Sequence, residues 1–309
     1  MLGSLIIAHV IRPKGFARKV DHAYYVEHPK TSEIRGFANR DSKGSDGISD
    51  IGGGMYLDIP KRLIRDGYIR LDETTGRPGS ISKDYVLYIP LDMLEDPSTQ
   101  FLLRAEYDGP GYETEERRLL DTLLPPECLF LDIGAHWGIY TLHVLSSLPN
   151  ARVVAVEPDA ENLRHLQHNL FENDHGGRAE IVDAAIAETD GHGWLRRNTS
   201  MGHHLSATPG DGAAREVPTT TIDSLVERFD PDCRRDVWIK LDIEGRELAA
   251  LRGATRSLGN GRIGGVLWEA RVGGIPNPDA STITSLLRDQ GMMTRSINDD
   301  YRLSVPRTS

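Results

Sequence analysis

The sequence contains little cysteine, few aromatic residues and no long apolar run. Cys128 and Cys233 are the two cysteines in 309 residues, too few for a secreted disulfide scaffold or a structural zinc site. The apolar stretch at residues 5–11 is short and contains a histidine, so it fits neither a signal peptide nor a membrane-spanning helix. We therefore expect a cytoplasmic protein that is not bound to a membrane.

Basic charge is also scarce. The chain has 36 Lys and Arg against 46 Asp and Glu, a formal net charge of −10, and only 6% aromatic residues. Proteins that hold a nucleic-acid backbone need concentrated Lys and Arg, and those that read RNA also use aromatic side chains. We therefore expect no nucleic-acid partner.

The sequence also lacks a dinucleotide-binding glycine motif in the segment of residues 129–138, which reads LFLDIGAHWG. The apolar run predicts a buried strand, the glycines a tight loop, and the residues from Ile139 onward a helix. A dinucleotide loop would read G-x-G-x-x-G here, but Asp132 stands at its first position, which makes an NAD-dependent dehydrogenase the least favoured enzyme class.

The carboxylate of Asp132 would repel a pyrophosphate, but it suits a ligand with cationic amino and sulfonium groups. S-adenosylmethionine is such a ligand. Gly134 would let the backbone pass close to this cofactor, and Gly138 would admit the helix against it. The alternative is a purely structural strand-to-helix turn.

Acidic residues follow four more predicted strands. Glu157 ends the strand at residues 151–156, where an acid can accept both ribose hydroxyls of a nucleoside. Asp183, Asp242 and Glu269 lie near the carboxyl ends of strands at residues 180–186, 236–242 and 263–269. Ligands of open α/β sheets bind outside the carboxyl ends of the strands, so these acids converge on one predicted site.

Four motifs resemble the FkbM family of S-adenosylmethionine-dependent methyltransferases over about residues 112–270. They read LDIGAHWGIYTL, VVAVEPDAENLRHLQHNL, AAIAETDG and WIKLDIEGRELAALRGA. The resemblance implies S-adenosylmethionine as cofactor and a contact of Asp183 with the adenine amine. His136, also a cofactor-binding candidate, departs from the family, where a small polar residue, often Asn, is usual.

We therefore predict an α/β fold with a doubly wound, mainly parallel, seven-stranded class I methyltransferase sheet. It ends in an antiparallel hairpin at residues 292–305 and carries a small irregular N-terminal β-rich cap. The cap would span residues 1–111 and the cofactor-binding domain residues 112–309. The cap could be a lid over the site, or a packing extension or dimer contact, so a homodimer is possible.

Local patterns give further expectations. Helices are predicted at residues 60–69, 114–124, 222–229 and 281–290, and after Asp159 as N-cap. His165 and His168 should lie off the buried face of the helix after Asp159. Residues 5–11 and 84–89 should be strands, and residues 198–214 a long loop between two antiparallel strands.

Methyl transfer to a hydroxyl needs a base, and Asp242 is our first choice for it, with Glu244 second. Lys240 alternates onto the same strand face as Asp242 and could hold its carboxylate ionised. The alternative role of both acids is to cap the next helix. His203, in the loop before the fourth core strand, is a candidate substrate contact. Nothing in the spacing requires a metal ion, so none is predicted.

Together these features predict an S-adenosylmethionine-dependent methyltransferase that methylates a hydroxyl of a small molecule such as a sugar, a polyketide or another natural product. This substrate class is implied by the resemblance alone. The alternatives are a methyltransferase acting on RNA or protein, and a catalytically inactive cofactor-binding partner subunit.

Overall fold

The computed structural model describes most of the chain from residue 59 onward and three short strands before it. The described residues are 17–20, 23–27, 33–37, 59–60, 63–72, 75, 85–94, 96–107, 109–175, 177–197, 201–206, 208 and 214–307. The strand predicted at residues 5–11 lies outside these residues. The chain divides into two compact units, Met1–Ile81 with Leu87–Tyr112, and Ser82–Val86 with Glu113–Ser309. The predicted division of roles between a cap and a cofactor-binding domain stays a prediction.

The described residues of the first unit form short antiparallel strands, a 3-10 turn and one α-helix. Its four-stranded sheet has the order β1 (Ala17–Val20), β2 (Ala23–Glu27), β3 (Glu33–Phe37), β4 (Ile59–Pro60). Its three-stranded sheet has the order β5 (Ile64–Arg65), β6 (Tyr68–Leu71), β7 (Leu87–Pro90). A 3-10 turn at Leu91–Met93 and helix α1 (Pro97–Tyr107) follow.

The helix predicted at residues 60–69 is wrong. Asp66 and Gly67 have φ angles of 50° and 86° and form the turn between β5 and β6. Two successive residues with positive φ belong to the hairpin turns that Asp-Gly pairs favour, so the turn chemistry overrides the helical spacing. Helix α1 was not predicted.

The second unit contains the remaining elements. In chain order they are α2 (Thr114–Leu123), β8 (Leu129–Ile133), α3 (Ile139–Ser147), β9 (Arg152–Val156), α4 (Ala160–Asn173), β10 (Ala179–Val182), β11 (Ala185–Ile186), β12 (Gly191–Arg197), β13 (His203–Ser206), β14 (Arg215–Thr220), α5 (Ile222–Phe229), β15 (Val237–Leu241), α6 (Glu247–Arg252), α7 (Thr255–Gly259), β16 (Ile263–Glu269), β17 (Arg271–Val272), β18 (Ile275–Pro276), α8 (Ala280–Asp289), β19 (Met292–Ser296) and β20 (Tyr301–Pro306).

The main sheet of this unit has seven strands in the order β10-β9-β8-β15-β16-β20-β19. The first five strands are mutually parallel, and β20 runs antiparallel to both β16 and β19. Strand β8 is the first of this sheet in the sequence, and the strand order runs in opposite directions on its two sides. The switch point therefore lies between β8 and β15. This arrangement confirms the predicted fold class, with its terminal hairpin at β19 and β20.

Alternating side chains of the central strand serve two cores. Leu129, Leu131 and Ile133 of β8 join an apolar cluster with helices α5 to α8. Phe130 points to the other face, which α2 and α3 cover. Because successive strand residues face opposite sides, Asp132 lies on the same face as Phe130, under α3.

A second, four-stranded sheet has the order β11-β14-β12-β13. The strand predicted at residues 180–186 is therefore broken: it leaves the main sheet at Asp183, and β11 pairs instead with β14. The antiparallel pair β12 and β14 was predicted, but the intervening segment includes β13 rather than only a loop.

Helix α4 begins as predicted, because the Asp159 carboxylate accepts hydrogen bonds from the backbone N–H groups of Glu161 and Asn162. The prediction that His165 lies off the buried face is wrong. His165 is buried, with its ring edge-on to Trp137 at 5.9 Å between centroids. The buried face of this helix therefore includes polar residues as well as its leucines.

No helix in the part of the chain that the structure describes is long and apolar enough to cross a membrane.

Arg178, just before β10, closes the carboxyl end of α3. Its guanidinium donates to the carbonyl oxygens of Leu145 (2.7 Å), Leu148 (2.9 Å) and Ala151 (3.3 Å). The last carbonyls of a helix have no partner within the helix, and a cation there also interacts favourably with the helix dipole. One side chain therefore joins α3, the loop after it and the edge of the sheet.

We expect Arg178→Ala to lower the free energy of unfolding by about 2 kcal/mol, since it removes several charge-assisted hydrogen bonds at once. Urea unfolding followed by circular dichroism measures the change. Arg152→Ala is the matched control. Its guanidinium is 3.9 Å from Glu180 and both side chains are exposed, so the cost should stay below about 1 kcal/mol. Equal losses in the two variants would contradict the role of Arg178.

Candidate active site

The glycine loop after β8 lies against the end of β15. The N–H groups of Gly134 and Ala135 both donate to the Val156 carbonyl at 3.0 Å. Gly134 has a φ of +79°, and a Cβ atom there would lie 2.0 Å from the Asp242 carbonyl oxygen. Gly138 has a φ of +85°, and a Cβ atom there would lie 2.6 Å from Leu166 of α4. The absence of a side chain therefore allows close contacts at both glycines. Gly134 packs against the end of β15, and Gly138 packs against helix α4.

Asp132 is fully buried beneath this loop. Its Oδ2 accepts hydrogen bonds from the Thr141 backbone N–H at 3.0 Å and from the Thr141 hydroxyl at 2.6 Å, which caps the first turn of α3. Its Oδ1 has no hydrogen-bond partner among the residues that the structure describes. Burial raises the pKa of Asp132 above its ordinary value, against the opposing effect of the Lys240 ammonium.

Glu157 holds the same loop from the end of β9. Its Oε2 accepts the His136 backbone N–H and its Oε1 the Asp159 N–H, both at 2.9 Å. His136 has a φ of +52°, and its ring stacks on Trp137 with 4.2 Å between centroids. Asp183 is exposed just after β10. The cofactor contacts expected of Glu157, His136 and Asp183 stay predictions.

Asp242 follows β15, and its side chain is 20% exposed. Its Oδ2 is 3.2 Å from the Lys240 ammonium and accepts a hydrogen bond from the Tyr301 hydroxyl at 2.8 Å. Burial alone would lower the pKa of Lys240, but the carboxylates of Asp242 and Asp132 outweigh it and raise that pKa. Lys240 is therefore a permanent cation beside Asp242. The expected effect of Lys240 on the ionisation of Asp242 stays a prediction.

The loop after Asp242 is closed by Glu247. The Glu247 carboxylate accepts the N–H groups of Ile243 and Gly245 at 3.1 Å and the Asn277 amide at 2.8 Å. Glu244 lies half-buried in this loop with a φ of +54°. Arg246, the N-cap residue of α6, makes no side-chain cap hydrogen bond. The alternative role considered for Asp242 and Glu244 was to cap the next helix, and it is Glu247 that accepts the N–H groups of Ile243 and Gly245 just before this helix.

Glu269, at the end of β16, completes the group of strand-end acids. Burial, and then the neighbouring carboxylates of Asp242 and Glu244, raise the pKa of Glu269 to about 11. Glu269 is therefore protonated at neutral pH. A protonated carboxyl group can donate a hydrogen bond but cannot act as a base.

His203, the remaining catalytic candidate, lies in β13, where its backbone pairs with Arg197 of β12. Its side chain lies outside the described residues, so its substrate contact stays a prediction.

Three residues near Asp242 and Lys240 were not predicted from the sequence to lie in the site. Tyr301 opens the last strand, Glu113 precedes α2, and Tyr140 lies in α3. The Glu113 carboxylate accepts the hydroxyls of Tyr140 (2.7 Å) and Tyr301 (2.9 Å), and Lys240 Nζ lies 4.9 Å from the Tyr140 ring centroid. Glu113 and Tyr301 are 188 residues apart, and no local pattern indicates such a contact.

The carboxylates at the strand ends fit S-adenosylmethionine. The ligand carries an ammonium and a sulfonium and no phosphate, and the strand ends offer carboxylates. A buried carboxylate oxygen of Asp132 is unpartnered among the described residues. Desolvated negative charge of this kind is stabilised by a cation.

We expect Glu269→Gln to stabilise the protein increasingly as pH rises. The folded state holds the proton of Glu269 up to about pH 11, whereas the unfolded chain releases it near 4.5, so wild-type stability falls between these values. The variant removes that cost and should gain at least about 1 kcal/mol at pH 9 relative to pH 5. Urea unfolding at both pH values measures the gain, with the exposed Glu127→Gln as control. A gain that is the same at both pH values would contradict a protonated Glu269.

We expect Gly134→Ala to weaken S-adenosylmethionine binding at least about tenfold, the equivalent of about 1.4 kcal/mol, because the new methyl group displaces the loop or the end of β15. Gly261→Ala is the matched control: Gly261 has a φ of +66°, but no atom lies within 4 Å of the position that its Cβ atom would take. Both variants pay the cost of an L-residue at positive φ, but only the first should lose affinity in isothermal titration calorimetry. Equal affinities would show that the close approach does not shape the site.

Comparisons with known proteins give one family match and several distant likenesses. The model of the methyltransferase FkbM domain matches residues 132–292, just over half of the chain. A stretch of 48 residues is 48% identical to the AMB antimetabolite synthetase AmbE of Pseudomonas aeruginosa, and it covers 16% of this chain and 2% of the length of that protein.

Two solved structures of methyltransferases are similar at low identity. A precorrin-6y C5,15-methyltransferase from Geobacter metallireducens is 16% identical, with 63% of this chain and 89% of that one covered and a TM-score of 0.38. A TehB-like SAM-dependent methyltransferase from Corynebacterium glutamicum is 11% identical, with 64% and 90% covered and a TM-score of 0.36.

The family match extends from Asp132, beneath the glycine loop, to β19, and it includes Glu157, Asp242 and Glu269. Its span therefore contains the strand ends at which the site is built. The chain belongs to the FkbM family of S-adenosylmethionine-dependent methyltransferases.

Proposed function

We propose that this methyltransferase acts on a hydroxyl group of a small molecule such as a sugar, a polyketide or another natural product. The observation that carries the proposal is the environment of Asp242: a partly exposed carboxylate at the end of β15, paired with the buried Lys240. It places a carboxylate beside the glycine loop. An acceptor hydroxyl needs such a group, since it must lose its proton on methylation.

S-adenosylmethionine, when bound, supplies an electrophilic methyl group. The residues of the chain then have two tasks, to hold the acceptor oxygen and to take its proton. Holding the reactants in place can contribute on the order of 7 to 11 kcal/mol, and one positioned base about 10²- to 10⁴-fold in rate. The oxygen gains a bond to carbon, its proton passes to the base, and the electron pair of the broken bond stays on sulfur.

Asp242 is the strongest candidate for the base. Glu269 is less suited to the role, because burial and the neighbouring carboxylates raise its pKa to about 11. The Glu247 carboxylate is occupied with the loop after β15. Glu244 in the same loop stays the second candidate.

A small-molecule acceptor is favoured over RNA by the charge of the site. Asp242 and Glu244 follow strand β15, and the buried Lys240 is already paired with Asp242. A phosphate backbone would be repelled by such a site. The short match to an antimetabolite synthetase is in line with a natural product as the acceptor, although it spans 2% of that protein. The cytoplasmic location, a substrate contact of His203 and a homodimer remain part of the proposal.

The test uses methyl-labelled S-adenosylmethionine and size-fractionated extract of the source cell. We expect wild-type protein to label the small-molecule fraction and Asp242→Asn to reduce that label at least about 100-fold, the lower range for a lost base. Asp236→Asn is the matched control, the same chemical change at the exposed amino end of the same strand. It should retain full labelling.

Two results would contradict the proposal. Label in RNA or protein would overturn the small-molecule acceptor. No label in any fraction, together with measurable cofactor binding by calorimetry, would favour a cofactor-binding partner subunit without catalysis.

A further inference from the structure

The hydroxyl of Tyr301 lies between two carboxylates. Its oxygen is 2.8 Å from Asp242 Oδ2 and 2.9 Å from Glu113 Oε1. Tyr301 is only 3% exposed, so its side chain has little access to bulk water. Both distances are those of O–H···O hydrogen bonds.

A phenol has one proton, and ionised carboxylates only accept hydrogen bonds. When both acids are ionised, Tyr301 can therefore donate to one of them at a time, and its oxygen then faces the other without a proton between them. Asp242 and Glu113 thus compete for one hydrogen bond.

The backbone of Glu113 is held in an unfavourable conformation. Its φ of 47° places it in the left-handed region, which is unfavourable for a non-glycine residue. Glu113 makes no side-chain cap hydrogen bond to α2, although it is the N-cap residue. Its carboxylate instead accepts the hydroxyls of Tyr140 and Tyr301. The local strain is thus retained together with a contact to the active site.

We propose that Tyr301 and Glu113 are positioning residues that adjust the basicity of Asp242 by sharing the Tyr301 proton. While Asp242 is ionised, Tyr301 donates to it and stabilises the charge. When Asp242 takes the proton of the acceptor, the Tyr301 hydroxyl turns to Glu113 and keeps a hydrogen bond. The loss of charge on Asp242 therefore costs less than it would without Glu113. No covalent bond changes in this rotation. The inference rests on the proposed role of Asp242 as base.

Other charged groups also face Asp242, and one of them, the carboxyl group of Glu269, also forms a hydrogen bond with it. Lys240, on the same strand, is a permanent cation and cannot accept a proton. Glu269 is already protonated at neutral pH, because its pKa is raised to about 11. The remaining groups act on the site through charge: Asp132 from β8, Glu244 from the loop after β15, and Glu247 from α6.

The test follows the side-chain carboxyl carbon of Asp242 by NMR in the full chain labelled with ¹³C at the aspartate γ-carbon. The resonance is assigned from its absence in Asp242→Asn, and its chemical shift is recorded against pH without cofactor or acceptor. The readout is the pH midpoint of this resonance. Loss of packing alone would not give midpoints that move in opposite directions.

We expect Tyr301→Phe to raise the midpoint by about one pH unit, since it removes a hydrogen bond to the charged form. Glu113→Gln should lower it, because Tyr301 then donates to Asp242 without competition. Tyr140→Phe is the matched control. It removes the other hydroxyl from Glu113 and makes Glu113 a stronger competitor, so the midpoint should rise by less than in Tyr301→Phe.

Loss of a neighbouring negative charge would by itself lower the midpoint in Glu113→Gln. We therefore repeat Glu113→Gln in the Tyr301→Phe background, where the expected shift is less than half as large. An equal shift in both backgrounds would show a purely electrostatic effect and overturn the proposal, as would an unchanged midpoint in Tyr301→Phe. This titration does not depend on methyl transfer, so failure of the labelling experiment and failure of the switch are separate results.

Discussion

A buried ion pair between Lys240 and Asp242 connects the two loops of the active site. An ammonium in the interior must be compensated, because its desolvation costs several kcal/mol. Lys240 Nζ reaches the Asp242 carboxylate at 3.2 Å and the Gly134 carbonyl at 3.4 Å, and it lies over the Tyr140 ring. One cation therefore interacts with the glycine loop, the end of β15 and helix α3. Removing it would leave the carboxylates of Asp242 and Asp132 in the interior without a counter-charge.

Close backbone approach brings the glycine loop next to this ion pair. Gly134 lies where a Cβ atom would be 2.0 Å from the Asp242 carbonyl oxygen, so the loop after β8 touches the end of β15. The loop is held in turn by Glu157 from β9 through the His136 N–H. The neighbouring strand ends are thus joined through backbone groups of the glycine loop. Side chains that belong to distant parts of the sequence meet at the switch point of the sheet, as in other open α/β folds.

The sequence predicts what short-range patterns determine. Apolar runs ending in acids identify β8, β9, β15 and β16, and Asp159 is recognisable as an N-cap because its partners lie two and three residues away. The errors have local causes too, such as the hairpin turn at Asp66. The contact of Tyr301 with Glu113 could not be predicted, since it depends on the antiparallel insertion of β20 beside β16 and on the entry of the chain into α2.

The site contains more acidic side chains than cations, and this excess affects which carboxyl groups carry protons. Lys240 alone cannot balance the charges of Asp132, Asp242, Glu113 and Glu269 together. Glu269 meets this constraint by keeping its proton, with a pKa raised to about 11, and Glu113 by accepting two tyrosine hydroxyls. Asp242 is paired with Lys240 at 3.2 Å, and its side chain is 20% exposed. The same surplus of negative charge that favours a sulfonium ligand therefore surrounds the carboxylate that is proposed as the base.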